Sequence, residues 1–269
     1  MAKLSPYLVA PDTKIKLSDI DPDDTGNLKS KARAEASLER HRKKLFELQE
    51  LMYAEAKHAL LVVLQGLDAA GKDGTIRHIF TGVNPQGCQV TSFKKPTEEE
   101  LRHDFLWRVH RATPGLGMIG IFNRSHYEDV LVVRVHGNLS QDQVKQRFEA
   151  INSFEKNLAE NGTTILKFYL HISKDEQRKR LQERLDHPQK YWKVSPEDLT
   201  ERQYWDDYMK ACEDVFRHCS TKYAPWYIVP ANKKWYRNVV ISQILTERME
   251  GLKMAYPKSK FDISKIKVE

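Results

Sequence analysis

Cysteine is scarce in this sequence, and the cysteines present form no Cys-x-x-C pair. The three are Cys88, Cys212 and Cys219. An odd, sparse count argues against a disulfide framework, and no histidine or further cysteine completes a zinc-like spacing. We therefore interpret Cys212 and Cys219 as packing residues and expect a cytoplasmic protein with reduced thiols.

Long apolar runs are also missing. No stretch approaches the ~20 apolar residues that a membrane span needs. The first residues of the sequence contain no apolar run typical of a signal peptide. Internal repeats and low-complexity tracts are absent from the sequence as well. We therefore predict neither membrane insertion nor a membrane partner.

The composition is that of a globular protein. Hydrophobic residues make up 40% of the 269 positions and charged residues 30%. A chain of this length can bury a full core without disulfides or a structural metal. The formal net charge is +7. Such a surplus favours a polyanionic partner, namely nucleic acid, anionic lipid or a phosphate-rich substrate, although a solvated basic surface explains it equally well.

Short apolar segments alternate with helical patterns along the middle of the chain. The first segment, Ala59–Gln65, is a continuous apolar run that fits a strand buried on both faces of a parallel sheet. Further strands are predicted at residues 89–93, 117–123, 164–172 and 226–230. Helices are predicted at residues 74–80, 97–111, 141–161, 174–186, 196–220 and 235–252. This alternation predicts an α/β fold with a doubly wound parallel sheet and helices on both faces.

The ends of the chain differ from this central pattern. Residues 1 to about 27 predict an irregular arm, and residues 28–57 predict a long charged helix. The apolar stripe of that helix consists of Leu38, Leu45, Leu48 and Met52. We predict an N-terminal arm and helical extension over residues 1–54, a core domain over 55–255, and a basic tail over 256–269.

A glycine-rich loop follows the first predicted strand. Residues 66–72 match the pattern G-x-x-x-x-G-K, and the strand before and the helix after it supply the context that this motif requires. Backbone N–H groups of such a loop converge on phosphate oxygens, and Lys72 adds a full positive charge. A glycine turn without a ligand is the alternative. The predicted phosphate-binding residues are Gly66, Ala69, Ala70, Gly71, Lys72, Asp73 and Gly74.

Two acidic residues distinguish this loop from its usual form. Asp73 stands where a Ser or Thr hydroxyl normally binds Mg²⁺. We expect Asp73 to cap the following helix, with metal binding through water as the alternative. Asp68 lies inside the phosphate cradle, where a negative group is costly unless it faces a cation or accepts a proton. We predict that Asp68 binds Mg²⁺ or orients the accepting phosphate.

Polar residues end the third predicted strand. Asn123, Arg124 and Ser125 occupy its carboxyl end, which is where ligands bind in open α/β sheets. Asn123 replaces the acid that usually ends such a strand. Arg124 is placed to neutralise phosphate charge in a transition state, and a surface salt bridge is the alternative. Glu128 and Asp129 belong either to the site or to a solvated helix surface.

A basic segment follows the fourth predicted strand. Arg180 and Arg184 are four positions apart and therefore share a helix face. Lys190 and Lys193 follow beside Pro188. We predict a mobile lid over about residues 177–210 that brings Arg184, Lys190 and Lys193 to phosphates; a solvated basic helix is the alternative.

These segments together resemble the polyphosphate kinase 2 family of polyphosphate:nucleotide phosphotransferases. The likeness rests on residues 66–74, 123–130 and 192–195, and it extends over about residues 38–252. It implies a three-layer α/β/α P-loop kinase-like fold with a helical lid and a requirement for Mg²⁺ or Mn²⁺. The resemblance assigns catalytic roles to Asp68, Lys72, Arg124 and Arg180.

The Asn-Arg-Ser and Tyr-Glu-Asp sequences at 123–129 resemble the class III branch of the family. That branch is associated with phosphorylation of both nucleoside monophosphates and diphosphates. Many family members have Asp where this chain has Asn123, which leaves Asp68 as the better metal ligand. We predict that Asn123, Arg124 and Glu128 bind the nucleotide.

The resemblance predicts reversible transfer of the terminal phosphoryl group of inorganic polyphosphate to AMP and ADP. It also predicts a homo-oligomer, a dimer or a tetramer, and no nucleic-acid partner. One alternative is a nucleotide or nucleoside kinase that uses ATP as donor, which needs no polyphosphate. The other is a nucleic-acid-binding P-loop protein, which binds DNA or RNA in a salt-dependent manner.

Overall fold

Five short strands form one parallel sheet in the computed structural model, which describes residues 6–268. The strands are β1 (Ala59–Gln65), β2 (Cys88–Ser92), β3 (Ile119–Asn123), β4 (Thr163–His171) and β5 (Trp226–Pro230). The α-helices are α1 (Lys31–Glu55), α2 (Lys72–Ile79), α3 (Trp107–Ala112), α4 (Glu128–Val135), α5 (Gln141–Glu160), α6 (Lys174–Asp186), α7 (Pro196–Glu201), α8 (Trp205–Cys219) and α9 (Lys234–Glu250). All five predicted strands are present, each within two residues of its predicted bounds.

The sheet has the strand order β2-β3-β1-β4-β5, and every neighbouring pair is parallel. All seven residues of β1 are buried, as expected of a strand at the centre of a sheet covered on both faces. The chain leaves β1 to build one side of the sheet and later returns to build the other. The crevice at the carboxyl end of β1 is therefore the position where open α/β sheets bind ligands.

Helices cover both faces of the sheet, as predicted. Leu61 and Val63 of β1 belong to one core, and Leu60, Val62 and Leu64 belong to the other. This alternation follows because successive side chains of a strand point to opposite faces. The first core contains residues from α5 and α8, and the second contains residues from α1 and α9.

The N-terminal segment packs against this core. The predicted apolar stripe of α1 is buried at all four positions, against α9 and the sheet. In the arm, the Val9 N–H donates to Trp226 O at 2.9 Å and the Ile228 N–H donates to Tyr7 O at 2.9 Å. These bonds place the arm along the outer edge of β5. The domain bounds at 54 and 255 stay a prediction.

The predicted helix over residues 97–111 is wrong, because the chain forms a 3₁₀ helix at Glu100–Arg102 and then α3. Thr97 and Glu100 exchange side-chain to backbone hydrogen bonds at 2.9 and 3.2 Å, in the reciprocal pattern of a capping box, at the turn before the 3₁₀ helix. The Asp104 carboxylate accepts from the Leu106 N–H at 2.9 Å and starts a second turn. Two local sets of side-chain to backbone hydrogen bonds therefore divide one continuous helical pattern.

The predicted helix over residues 196–220 is also divided. It consists of α7, a 3₁₀ helix at Arg202–Tyr204, and α8. The 3₁₀ helix joins the lid segment to the core helix α8. The predictions omit α4, which begins directly after the polar residues that end β3.

Candidate active site

The phosphate loop joins the carboxyl end of β1 to the first turn of α2. Gly66 has φ +150° and Gly71 has φ +103°, both in the region that favours glycine. A Cβ atom at Gly66 would lie 3.0 Å from the Leu170 carbonyl oxygen. A Cβ atom at Gly71 would lie 2.2 Å from Arg237 Nη1. Backbone conformation thus favours glycine at both positions, and the Leu170 carbonyl also leaves little room for a side chain at Gly66.

Lys72 is the first residue of α2, and its side chain folds back across the loop. Its Nζ donates to Gly66 O at 2.6 Å and to Leu67 O at 3.3 Å. Burial and the nearby Arg124 lower the pKa of Lys72. An anion bound in the loop would counter both effects. The Lys72 ammonium therefore lies beside the position where the motif predicts a phosphate.

Asp68 faces a cation, as a negative group in a phosphate cradle requires. Arg124 Nη2 donates to Asp68 Oδ1 at 2.6 Å, and Arg124 Nη1 lies 3.5 Å from Glu128 Oε2. Arg124 adopts φ +62°, an unusual conformation for a residue with a side chain. The chain thus turns sharply after β3 and places a half-exposed guanidinium between two carboxylates beside the loop.

Asp73 does not cap α2, and that prediction is wrong. The N-cap residue is Gly71, and no side chain accepts a capping hydrogen bond there. Instead, Asp73 Oδ1 accepts from Asn123 Nδ2 at 2.7 Å, and Asp73 Oδ2 lies 3.6 Å from Lys193 Nζ. Since Asp73 is the second residue of α2, its carboxylate reaches across to the end of β3. Asp73 therefore links the loop helix, β3 and the lid.

The predicted lid segment contains α6, a 3₁₀ helix at Pro188–Lys193 and α7. Arg184 Nη1 donates to Lys193 O at 2.9 Å and to Asp198 Oδ2 at 2.7 Å. Lys190 Nζ lies 3.5 Å from Glu183 Oε2. These basic side chains therefore hold the lid segment together in this conformation, while Lys193 also reaches the loop helix. Their binding of phosphate stays a prediction.

The structure places Arg180 beneath the loop, although the sequence assigns it to a mobile lid. Its side chain is only 5% exposed, and its five N–H groups all have acceptors. The acceptors are the Glu176 carboxylate and the carbonyl oxygens of Ala69, Ala70, Ala231 and Asn232. Arg180 therefore joins α6, the loop and the segment after β5. Its predicted catalytic role is untested.

A basic cleft of about 1060 Å³ opens on one side of the loop. Its basic lining residues are Lys31, Lys72, Arg77, Lys94, Arg124, Arg180, Arg184, Lys190, Lys193, Lys233, Lys234 and Arg237. Its acidic lining residues are Glu35, Asp73, Glu176 and Glu183. Positive charge therefore exceeds negative charge threefold along a cleft that runs from the loop towards α1 and α9.

An acidic pocket of about 340 Å³ lies on the other side of the loop. Its acids are Asp68, Glu128, Glu197, Asp198 and Glu201, and its cations are Arg124 and Arg202. Its larger apolar and aromatic lining residues are Leu67, Leu131, Val132, Tyr169, Trp205 and Tyr208. Arg124 lines both the acidic pocket and the basic cleft. The two cavities therefore meet at the end of β3.

Sequence reasoning missed Arg237 and the α7–α8 residues of the acidic pocket. Arg237 lies on the apolar stripe of α9 that continues with Ile241 and Ile244, and a charge on such a stripe is a detectable signal. Trp205 and Tyr208 carry no such signal. Aromatic residues of a helix more often pack in the core than line a binding site.

Asp68 is suited to the predicted metal as a single carboxylate ligand. Among residues 6–268, no group of three or more His, Cys, Asp or Glu side chains is arranged to hold a metal ion. Mg²⁺ is usually bound through one or two carboxylates, water molecules and substrate phosphates. Asp68 supplies one such carboxylate beside the phosphate loop. The donor set thus suits a metal that arrives together with phosphate.

Fold and site together define a class of protein. A phosphate loop at the end of a central parallel strand, with a buried lysine and a basic cleft, is the arrangement of a P-loop phosphotransferase of the kinase type. The chain belongs to the polyphosphate kinase 2 family, since the family model described as Polyphosphate kinase 2 (PPK2) matches residues 28–257.

Several relatives agree with this assignment. An AMP/ADP-polyphosphate phosphotransferase of Meiothermus ruber is 54% identical over 264 residues, which cover 98% of this chain and 99% of that protein. An ADP-polyphosphate phosphotransferase of Rhodopseudomonas palustris is 51% identical over 80% of this chain and 79% of its own length. The crystal structure of Polyphosphate Kinase 2 from Arthrobacter aurescens TC1 superposes with a TM-score of 0.93 at 47% identity, covering 96% of this chain and 92% of that one. The predicted P-loop kinase-like fold is thereby confirmed.

Among the helices of residues 6–268, none is both long and apolar enough to cross a membrane. The three cysteines are free, and Cys212 and Cys219 are buried, in agreement with the packing role predicted for them. Burial raises the pKa of both thiols to about 12. Neither is a reactive nucleophile at neutral pH.

Proposed function

We propose that this protein transfers the terminal phosphoryl group of inorganic polyphosphate to AMP and to ADP, giving ADP and ATP reversibly. The observation that carries the proposal is the meeting of a basic cleft and an acidic pocket at one phosphate loop. A relative that is 54% identical over nearly the whole chain is named an AMP/ADP-polyphosphate phosphotransferase, which supports the same reaction here.

The basic cleft suits the donor. Polyphosphate is a flexible chain of negative charges without a shape of its own, so its binding depends on many cations spread over a long surface. Residues from α1, α6, α9 and the lid supply such a surface and lead to Lys72. A single nucleotide needs no cleft of this length, and the cations far from the loop therefore favour polyphosphate.

The acidic pocket suits the acceptor nucleotide. Trp205 and Tyr208 offer aromatic surface to a base, while the surrounding acids repel a long polyanion. Arg124, at the junction of the two cavities, is the cation nearest to an acceptor phosphate that enters from this side. The pocket therefore selects a molecule with one apolar end and one short anionic end.

The chemistry is a direct transfer between the two cavities. An oxygen of the acceptor phosphate attacks the terminal phosphorus of polyphosphate, and the bridging P–O bond breaks to release a chain one phosphate shorter. Lys72 and Arg124 neutralise charge around the transferred group, and the loop N–H groups orient it. Asp68 would hold Mg²⁺ beside the loop, and the metal would supply further neutralisation of that charge. No nucleophilic side chain of the protein is needed.

Asn123 suits an enzyme that accepts both AMP and ADP. The two acceptors differ by one phosphate group and therefore by their charge near the transfer point. An aspartate at this position would add a negative charge beside the acceptor, whereas the Asn123 amide keeps hydrogen-bonding capacity without charge. Its Nδ2 already donates to Asp73. We propose that one site performs both steps, with Glu128 orienting Arg124 from 3.5 Å.

Product analysis tests the proposed function. Purified protein is incubated with Mg²⁺, polyphosphate and AMP, and nucleotides are separated by chromatography over time. We expect ADP first and ATP later, with no product when polyphosphate is omitted. A protein that phosphorylates AMP only when ATP is the donor would instead be an ordinary nucleotide kinase. A cytoplasmic location and a homo-oligomeric state stay predictions, which fractionation and light scattering measure.

A further inference from the structure

Arg237 of α9 lies directly beneath the phosphate loop. Its side chain is 2% exposed, and its Nη1 donates to Ala70 O at 3.1 Å. Its Nε and Nη2 donate to Asn238 Oδ1 at 3.1 and 2.9 Å. The contact with the loop is close, because a Cβ atom at Gly71 would lie 2.2 Å from Arg237 Nη1. The loop backbone therefore rests on this guanidinium.

No carboxylate neutralises Arg237 in the part of the chain that the structure describes. The neighbouring buried guanidinium, Arg180, forms its ion pair with Glu176 at 2.7 Å. Burial and the charge of Arg180 lower the pKa of Arg237 to about 9. A buried charge without a counter-charge is costly, and an anion bound at the loop would offset that cost for Arg237.

The geometry of one peptide bond indicates where that anion binds. The Ala70 carbonyl oxygen accepts from Arg180 Nη1 at 2.8 Å and from Arg237 Nη1 at 3.1 Å. In a trans peptide the C=O and the following N–H point in opposite directions. The Gly71 N–H therefore points away from the two arginines. It has no acceptor among residues 6–268. It faces the side on which phosphate loops bind phosphate.

We propose that Arg237 is a positioning residue of the phosphate loop: it fixes the Ala70–Gly71 peptide so that the Gly71 N–H faces a phosphate, and its charge balances that phosphate through the loop. The identity of the phosphate, the donor end of polyphosphate, rests on the proposed function. The positioning role itself requires only that a condensed phosphate binds at the loop.

Binding of inorganic tripolyphosphate, measured by calorimetry without nucleotide, tests this role. Arg237→Met removes the charge and both arms of the fork, and we expect the Kd to rise about tenfold or more. Arg237→Lys keeps the charge but not the fork geometry, and we expect a rise of about threefold to tenfold. Arg178→Met is the matched control. Its side chain is 71% exposed and is not part of the cleft lining. Loss of that screened surface charge changes the Kd by about twofold or less.

A steady-state readout separates positioning from a purely structural role. We expect Arg237→Met to lower kcat/KM for polyphosphate and to leave the KM for AMP unchanged, because the acidic pocket does not include this residue. A tripolyphosphate Kd for Arg237→Met equal to that of Arg178→Met would overturn the inference. Should Arg237→Met fail to fold, a Kd for Arg237→Lys within about twofold of wild type overturns it instead.

The two proposals fail in different ways. Wild-type protein that binds tripolyphosphate in an Arg237-dependent manner, yet transfers no phosphoryl group from polyphosphate, contradicts the proposed function and leaves the inference intact. Wild-type protein that transfers phosphate normally, with tripolyphosphate binding insensitive to Arg237, contradicts the inference alone.

Discussion

The basic cleft and the acidic pocket share one phosphate loop but differ in size, charge and lining. The cleft is about three times larger and lined by twelve cations, whereas the pocket is small, rich in acids and partly aromatic. Lys72 lines only the cleft, Asp68 lines only the pocket, and Arg124 lines both. Under the proposed function, this difference predicts that the donor is held by charge and the acceptor by shape and by a few directed contacts.

The largest expected effect is that of Lys72→Ala, on the cleft side of the junction. We expect kcat to fall about a thousandfold, because the lysine neutralises charge that develops during transfer. Steady-state assays measure the loss, and circular dichroism checks the fold. Lys145→Ala is the control, since Lys145 is exposed, pairs with Asp142 at 3.6 Å and lines neither cavity. A folded Lys72→Ala variant with unchanged turnover contradicts the phosphate-loop assignment.

Asp68→Asn alters an acidic-pocket residue that lies next to the point where the two cavities meet. The substitution keeps the size of the side chain but removes the charge that faces Arg124 at 2.6 Å. We expect kcat to fall about a hundredfold and the Mg²⁺ concentration at half-maximal rate to rise. A magnesium titration of both proteins measures this. If rate and metal dependence stay at wild-type values, the metal is held by Asp73 or by substrate phosphates alone.

A pair of substitutions separates the two cavities. Lys193→Ala removes a cation of the lid, and we expect a several-fold higher KM for polyphosphate, about threefold to tenfold, with the KM for AMP unchanged. Trp205→Leu removes aromatic surface from the pocket, and we expect the reverse pattern, with the KM for AMP raised about tenfold.

The dependence of each KM on salt concentration tests the same division of roles. Raising the ionic strength screens the donor contacts more than the acceptor contacts, so the KM for polyphosphate is expected to rise more steeply with salt. If either substitution changes both KM values equally, or if salt affects both substrates alike, the division of roles between the cavities is wrong.

The smallest expected effect concerns acceptor choice. Asn123→Asp places a negative charge beside Asp73, and Glu128→Ala frees Arg124 from its 3.5 Å partner. We expect each to change the ratio of kcat/KM for AMP to that for ADP by a few-fold, about threefold, while the melting temperature changes little. Kinetics with each acceptor separately give the ratio. A wild type that uses only one acceptor, or a ratio that neither variant shifts, contradicts this account of Asn123.

Local patterns predicted the strands and the phosphate loop, because each depends on residues close together in sequence. Strands β1 and β5 have their predicted bounds. The break in the helix predicted over residues 97–111 was not predictable from periodicity, since side-chain hydrogen bonds of Thr97 and Asp104 to the backbone override a continuous helical pattern. Local capping chemistry decides such breaks more than propensity does.

The remainder of the site depends on contacts between distant parts of the chain. Arg180 was assigned to a lid from its basic neighbours, yet its hydrogen bonds reach Ala70, 110 residues earlier. Arg237 contacts the same carbonyl from 167 residues away. Sequence periodicity does not show which helices pack beneath the phosphate loop. The sequence therefore predicts the loop itself but not the buried charges that support it.

Whether the kinetic mechanism is sequential or ping-pong tests the central claim most directly. If the two cavities hold donor and acceptor at the same time, transfer occurs in a ternary complex without a phosphorylated protein. Initial rates are measured over a matrix of polyphosphate and AMP concentrations. We expect double-reciprocal lines that intersect, whereas parallel lines, with a phosphorylated protein isolated in the absence of AMP, would contradict direct transfer between the cleft and the pocket.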